Sequence, residues 1–163
     1  MLIWQMTQKE FIGDYPVNDT DLEDFERLSR IVVEEVSGAF IKGSLKPIEG
    51  QTRYYLADIR NRVTDVVLVE KDTRYNDLYV VGGYVDDTLW LEPNIRGKGF
   101  SVYLVLYKAD KMAGVLEPTT YTSAGLKAHI AAHRKAVMDA CHEGCRVSER
   151  VLDDYRDLFD KKL

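Results

Sequence analysis

The feature that most constrains the fold is a run of four β-strand patterns separated by short turns. The four segments are rich in β-branched and aromatic residues; they are Thr52–Ile59, Val63–Glu70, Leu78–Tyr84 and Thr88–Leu91. The region of Asn61 and the pair Asp86-Asp87 are typical turn residues at two of the connections. Because such short connections join antiparallel strands, the sequence predicts a four-stranded meander.

Two helices are predicted before the meander. Thr7-x-x-Glu10 is a capping box that opens a short helix ending at Gly13. Thr20-x-x-Glu23 is a second capping box, and the apolar residues after it recur at helical spacing until Gly38: Leu22, Phe25, Leu28, Val32 and Val36. The stretch Ala39–Gly50 is expected to be irregular.

The residues after the meander are predicted to be mainly helical. Phe100–Ala113 is almost continuously apolar up to Gly114, which favours a buried helix, and Val115–Thr122 follows as a short extended segment. Ser123 is expected to cap a long helix to Glu143, with Gly144 at its end. A last amphipathic helix starts at Ser148; its apolar residues are Val151, Leu152, Tyr155, Leu158 and Phe159. The chain is therefore predicted to be an α/β (α+β) domain.

The composition of the chain indicates which broad class of protein it belongs to. The 163 residues suggest one domain, and 45% hydrophobic with 30% charged residues is typical of a soluble globular protein. No window approaches the roughly 20 apolar residues of a membrane helix. The N-terminus lacks the pattern of a secretory signal, and the two cysteines suit a reducing compartment, so a cytoplasmic location is expected. The net charge of −5 disfavours nucleic acid as a partner without excluding a local basic patch.

The segment with the clearest chemistry is the turn between the fourth strand and the apolar helix. It reads Arg96-Gly97-Lys98-Gly99-Phe100-Ser101 and follows Pro93. Glycines allow a sharp turn and a close approach of backbone to a ligand. The first amides of the helix have no partner within it and point outward at the positive end of the helix dipole. Together with Arg96 and Lys98, these amides are suited to binding a pyrophosphate.

This turn and the order of elements around it resemble the GNAT superfamily of N-acetyltransferases, over roughly residues 20–122. The family signature is Arg/Gln-x-x-Gly-x-Gly/Ala, and Ser101 stands where Gly or Ala is usual. The resemblance implies a single domain with a mostly antiparallel mixed sheet flanked by helices, with its core at about 20–145. It implies acetyl transfer from acetyl-CoA, as co-substrate, to an amine of a small molecule or a protein. The implied cofactor-binding residues are Leu91, Arg96, Gly97, Lys98, Gly99, Phe100 and Ser101.

The resemblance is weaker for the catalytic groups. Val115–Thr122 is short for the family's fifth strand, and a helical tail stands where two further strands are usual. Amine acylation needs a base and an acid; the candidates are Asp87, Glu92 and Tyr121. Two alternatives therefore stay open, namely a catalytically inactive binding module of the same fold and a nucleic-acid-modifying enzyme of mobile elements. A homodimer also stays open.

The tail carries a second resemblance, to a short helical module of bacterial and phage proteins. In that module an N-terminal segment like Met6–Phe11 often comes first, so the tail, residues 147–162, is predicted to pack on the N-terminal segment. His129, His133, Cys141 and Cys145 are types that bind zinc, but Cys141 lies about 12 Å along the helix from His133. Packing is the favoured interpretation, and no metal site is predicted.

Overall fold

The computed structural model describes residues 1–116, 118 and 120–157. Five strands form one sheet in chain order, and every neighbouring pair is antiparallel: β1 (Lys46–Pro47), β2 (Tyr54–Ile59), β3 (Arg62–Lys71), β4 (Leu78–Val85) and β5 (Thr88–Leu91). The helices are α1 (Gln8–Ile12), α2 (Leu22–Glu35), α3 (Phe100–Lys111), α4 (Ser123–His142) and α5 (Glu149–Leu152). Single 3₁₀ turns occupy Ile3–Gln5, Ser37–Ala39, Lys42–Ser44, Pro93–Ile95 and Asp153–Tyr155.

Both faces of the sheet are covered, which explains the long apolar runs of its central strands. Along β3, Val66 and Leu68 face a core that includes residues of α3 and α4, whereas Val67 and Val69 face a second core with Val33 of α2. Side chains alternate between faces along a strand, so a strand covered on both faces must be apolar throughout. The sheet is therefore the middle layer of an α/β/α arrangement.

The predicted α+β class and the four-stranded meander are confirmed within one to two residues at each strand end. Two details differ. The stretch predicted to be irregular contributes the short edge strand β1, whose two residues pair with Tyr55 and Leu56. The sheet is also not mixed among the described residues, because the extended segment after α3 does not join it.

That segment stands where the resemblance implies a fifth strand, for which it is short. In the structure its residue Tyr121 forms a single parallel bridge with Val17 of the N-terminal region, outside the sheet. The amide of Tyr121 donates to the carbonyl of Pro16, and the amide of Asn18 donates to the carbonyl of Tyr121. Pairing with the N-terminal region satisfies this backbone instead, so the outer edge of β5 has no strand beside it among the described residues.

The start of α2 differs from the predicted capping box. Asp21, in a left-handed conformation at φ 52°, occupies the N-cap position and makes no side-chain cap. Thr20 does not cap the helix because its hydroxyl and its amide both bond the Asn18 side chain. Leu22 and Phe25 are exposed, although their spacing matches that of a buried face.

The long helix α4 is confirmed, with Thr122 rather than Ser123 as its N-cap. The predicted tail helix is short in the described residues: α5 begins after Ser148 and passes into a 3₁₀ turn at Asp153. Leu158 and Phe159, and the rest of the predicted tail to residue 162, lie outside the described residues.

The described part of the tail lies against the N-terminal segment and α4. His133 of α4 is fully buried; its Nε2 donates to the carbonyl of Met6 at 2.7 Å, and its Nδ1 accepts from the Tyr155 hydroxyl at 2.5 Å. The carboxylate of Asp154 accepts from the amide of Gln8 at 2.8 Å. A single buried imidazole therefore joins three segments that are distant in sequence.

None of the described helices combines the length and the hydropathy that crossing a lipid bilayer requires.

Replacing Tyr155 with phenylalanine tests the hydrogen bond between its hydroxyl and the buried His133. Tyr155→Phe leaves the ring but removes the hydroxyl that His133 Nδ1 accepts from, so a buried nitrogen loses its partner. We expect the free energy of unfolding to fall by about 1–3 kcal/mol, measured by urea denaturation. Tyr75→Phe is the matched control, because Tyr75 is exposed. Equal stability of the two variants would contradict a structural role for the His133 contact.

Candidate functional site

A groove of about 660 Å³ opens along the outer edge of β5. Its floor is Leu89, Trp90 and Leu91 of that strand. The other walls come from three chain segments: residues 19–26 before and within α2, residues 96–101 at the start of α3, and residues 122–128 at the start of α4. The groove therefore lies where an edge strand meets the N-terminal parts of α2, α3 and α4.

The register of β5 decides which backbone groups face the groove. Strand residues alternate in the side toward which their N–H and C=O groups point. The amide of Glu92 donates to the carbonyl of Val81, so the groups of Trp90 and Thr88 point toward β4. The N–H and C=O groups of Leu89 and Leu91 consequently point outward, into the groove. An extended ligand with amide groups could pair with this edge as a strand would.

The starts of α3 and α4 differ in whether their first amides have acceptors. At α4 the amide of Ser123 donates to the Asp19 carboxylate at 2.8 Å, and that of Gly125 donates to the Thr122 hydroxyl at 3.0 Å. At α3 the N-cap is Gly99, which makes no side-chain cap. The start of α2 also lacks a side-chain cap, but it carries Glu23 and Asp24 in its first turn, which repel an anion. The positive end of the α3 dipole is therefore the one best suited to an anion.

Two glycines shape this turn. Gly97 and Gly99 have φ of +80° and +84°, in the left-handed region that favours glycine. A Cβ at either position would meet nothing within 4 Å, so glycine is required by the backbone conformation and not by packing. The open space beside them leaves room for a ligand at the backbone.

The guanidinium of Arg96 is bound to the protein itself. Its Nε and Nη2 donate to the carbonyl oxygen of Leu91 at 2.9 and 2.7 Å. Nη2 also pairs with Oε1 of Glu26 on α2, and the same Oε1 accepts from the Trp90 indole at 2.8 Å. Arg96 therefore covers one of the outward carbonyls of β5.

The predicted cofactor-binding residues fall into two groups. Leu91, Arg96, Gly97 and Ser101 line the groove. Phe100 is buried with its ring 4.4 Å from that of Tyr54, so it offers only its backbone, while Lys98 and Gly99 are exposed in the turn.

The predicted catalytic residues are not brought together. Asp87 lies in the β4–β5 turn beside a separate pocket of about 180 Å³, which Tyr84 and Lys108 also line. Glu92 follows the other end of β5, next to the Arg96 turn. Tyr121 is buried and donates its hydroxyl to the Ile12 carbonyl at 2.8 Å; burial raises the pKa of this phenol to about 12.

Sequence reasoning did not identify the buried pair formed by Tyr84 and His129. His129 Nδ1 donates to the Gly125 carbonyl at 2.6 Å, and its Nε2 accepts from the Tyr84 hydroxyl at 2.8 Å. Burial lowers the pKa of His129 and raises that of Tyr84, so both groups are neutral near pH 7. The spacing of four between His129 and His133 was a usable signal, since it places both on one helix face.

A second unpredicted group is the buried ion pair of Lys108 and Asp65, at 2.8 Å. Burial raises the pKa of the Asp65 carboxyl, but hydrogen bonds from Lys108, the Asp86 amide and Arg62 outweigh burial and lower it overall. These bonds hold the β4–β5 turn, and hence Asp87, in a fixed position at the end of the groove strand.

Among the described residues, no group of three or more His, Cys, Asp or Glu side chains is arranged to hold a metal ion. No family model, curated protein or solved structure matches this chain significantly.

The neutral buried histidines make stability depend on pH. The pKa of His129 and that of His133 lie below about 6.5 in the folded protein, so below that pH the unfolded chain binds more protons. Stability should be greatest well above pH 6.5 and should fall as the pH drops through and below 6.5. Urea denaturation across this range measures it.

The matched control is His142, which is exposed at the end of α4. His142→Gln should keep the pH dependence of the wild type, whereas His129→Gln should reduce it. A pH dependence that His142→Gln removes and His129→Gln keeps would contradict this account.

Proposed function

We propose that the protein is an acyl-CoA-dependent N-acyltransferase, with acetyl-CoA as the acyl donor and an amine as the acceptor. The observation that carries this proposal is the groove, in which an unpaired strand edge and an uncapped helix start face the same space. Coenzyme A carries both matching features, because its pyrophosphate is anionic and its pantetheine arm contains two amides. The resemblance of the turn, residues 96–101, to the GNAT signature supports the same proposal.

The pyrophosphate fits the start of α3. The amides of residues 97–101 precede the regular bonding of the helix, and the left-handed glycines leave the space beside them open. An anion there gains hydrogen bonds from the backbone as well as the helix dipole. Asp19 occupies the corresponding place at α4, so its negative charge directs the anion to α3.

The pantetheine arm fits the edge of β5. From an anion at the α3 turn, the strand leads from Leu91 back toward Thr88, so the arm would run in that direction along the outward groups of Leu91 and Leu89. Its reactive end would then lie near the β4–β5 turn. This direction favours Asp87 over Glu92 as the base, since Glu92 lies beside the anion end.

The reaction needs few groups from the protein. The acceptor nitrogen attacks the thioester carbonyl carbon, the nitrogen–carbon bond forms and the carbon–sulfur bond breaks. CoA leaves as the thiolate and is protonated, while the proton of the amine passes to a base such as Asp87. Tyr121 is protonated at neutral pH, but its proton is held by the Ile12 carbonyl, which disfavours it as the acid.

The hydrogen bond from the Tyr121 hydroxyl to the Ile12 carbonyl favours a second candidate, a catalytically inactive binding module. Release of free CoA thiol from acetyl-CoA in the presence of a panel of amines separates the two. The acyltransferase releases thiol with at least one amine, whereas the binding module binds CoA and releases none.

Ser101→Asp tests the pyrophosphate site without disturbing the fold. Ser101 is in the first turn of α3, where a carboxylate interacts favourably with the helix dipole and so does not destabilise the helix. The same carboxylate repels a pyrophosphate at the neighbouring amides. We expect CoA affinity, measured by calorimetry, to fall about tenfold or more, with no decrease in melting temperature.

The matched control is Ser101→Asn, which has nearly the same shape as aspartate and no charge. It should bind CoA within about twofold of the wild type. Equal CoA affinity of the Asp and Asn variants would contradict a pyrophosphate site at the start of α3.

A further inference from the structure

One carboxylate on α2 contacts two side chains at the groove edge. Glu26 Oε1 accepts from the Trp90 indole at 2.8 Å and pairs with Nη2 of Arg96. The same guanidinium donates two hydrogen bonds to the Leu91 carbonyl oxygen. Glu26 therefore holds Arg96 over an acceptor that the strand edge would otherwise offer to a ligand.

An anion in the groove would compete with Glu26 for Arg96. Arg96 and Gly97 both line the groove, next to the uncapped start of α3. The side chains of Arg96 and Glu26 are 44% and 40% exposed, and ion pairs exposed to this degree are weak. A diphosphate is a stronger partner for a guanidinium, because it accepts two charge-assisted hydrogen bonds at once.

We propose that the Glu26–Arg96 pair is a specificity latch: Arg96 occupies the Leu91 carbonyl oxygen until it leaves that oxygen to bind a diphosphate. This inference rests on the proposed function, since it assigns the regulation of the same groove. Once Arg96 has moved, the carbonyl can accept from an amide N–H of the extended arm. The latch selects ligands that carry both a diphosphate and an amide-bearing arm over shorter pantetheine thioesters.

The coupling is measurable without catalysis. Pantetheine supplies the arm and inorganic pyrophosphate supplies the anion, so each can be titrated with and without the other. In the wild type, saturating pyrophosphate should raise pantetheine affinity by about fivefold or more, and pantetheine should raise pyrophosphate affinity by the same factor. Calorimetry at constant ionic strength measures both affinities.

Glu26→Gln should open the latch. It removes the charge that holds Arg96, so we expect tighter binding of pantetheine alone and coupling reduced to within about twofold. Glu23→Gln is the matched control: Glu23 has the same charge on the same helix and is exposed, and its side chain makes no hydrogen bond or ion pair with another described residue. It should keep the coupling of the wild type.

Trp90 reports the movement directly. The chain has two tryptophans, so Trp4→Phe leaves Trp90 as the single indole. Pyrophosphate should change the Trp90 fluorescence of this protein as the contacts of Glu26 rearrange. The added substitution Glu26→Gln should abolish most of the change, because the contact is then already altered.

The outcomes separate the latch from the function. If CoA binds but pyrophosphate and pantetheine are uncoupled, or Glu26→Gln leaves the coupling and the Trp90 signal intact, the latch is wrong and the proposed function stands. If neither CoA nor pyrophosphate binds the wild type or Glu26→Gln, and circular dichroism shows that both proteins are folded, the proposed function and the latch are both wrong.

Discussion

The groove depends on one constraint: β5 pairs with β4 alone, so half of its backbone hydrogen-bonding groups face outward. Proteins usually cover or charge an exposed strand edge, because it invites pairing with other chains. Here Arg96 donates to the Leu91 carbonyl, and the starts of α3 and α4 flank the rest of the strand edge. The edge is thus protected from association yet accessible to a ligand narrow enough to enter the groove.

The groove also depends on the fixed position of α4, whose first residues form one of its walls. His129 and His133 lie one turn apart, and each uses both ring nitrogens, so the helix is bound to Tyr84 of the sheet and to Met6 and Tyr155 of the two chain ends. Histidine can accept and donate at once only when it is neutral. The same burial that fixes the groove wall therefore makes the protein sensitive to mild acid.

The sequence was sufficient to predict elements whose signals are local. Strand patterns, the Thr7 cap and the glycine turn before α3 each follow from neighbouring residues, and all are found. Features that depend on distant partners were missed or misplaced. Tyr121 pairs with Val17 instead of the sheet, and Glu26 reaches Arg96 across 70 positions of sequence. The cap of α2 was misplaced for a local reason, because Thr20 bonds Asn18 two residues before it. Periodicity also cannot distinguish a buried helix face from one that lines a groove: Leu22 and Phe25 have the spacing of a helix face, but they are exposed and line the groove.

The central claim is that one ligand spans the α3 turn and the β5 edge. The most direct test is the change in backbone amide chemical shifts of isotope-labelled protein on addition of CoA. The account predicts large changes at Leu89 and Leu91 together with residues 97–101, and small ones at the opposite sheet edge in β1. Changes confined to other surfaces, or changes at the turn with none at Leu89 and Leu91, would contradict it.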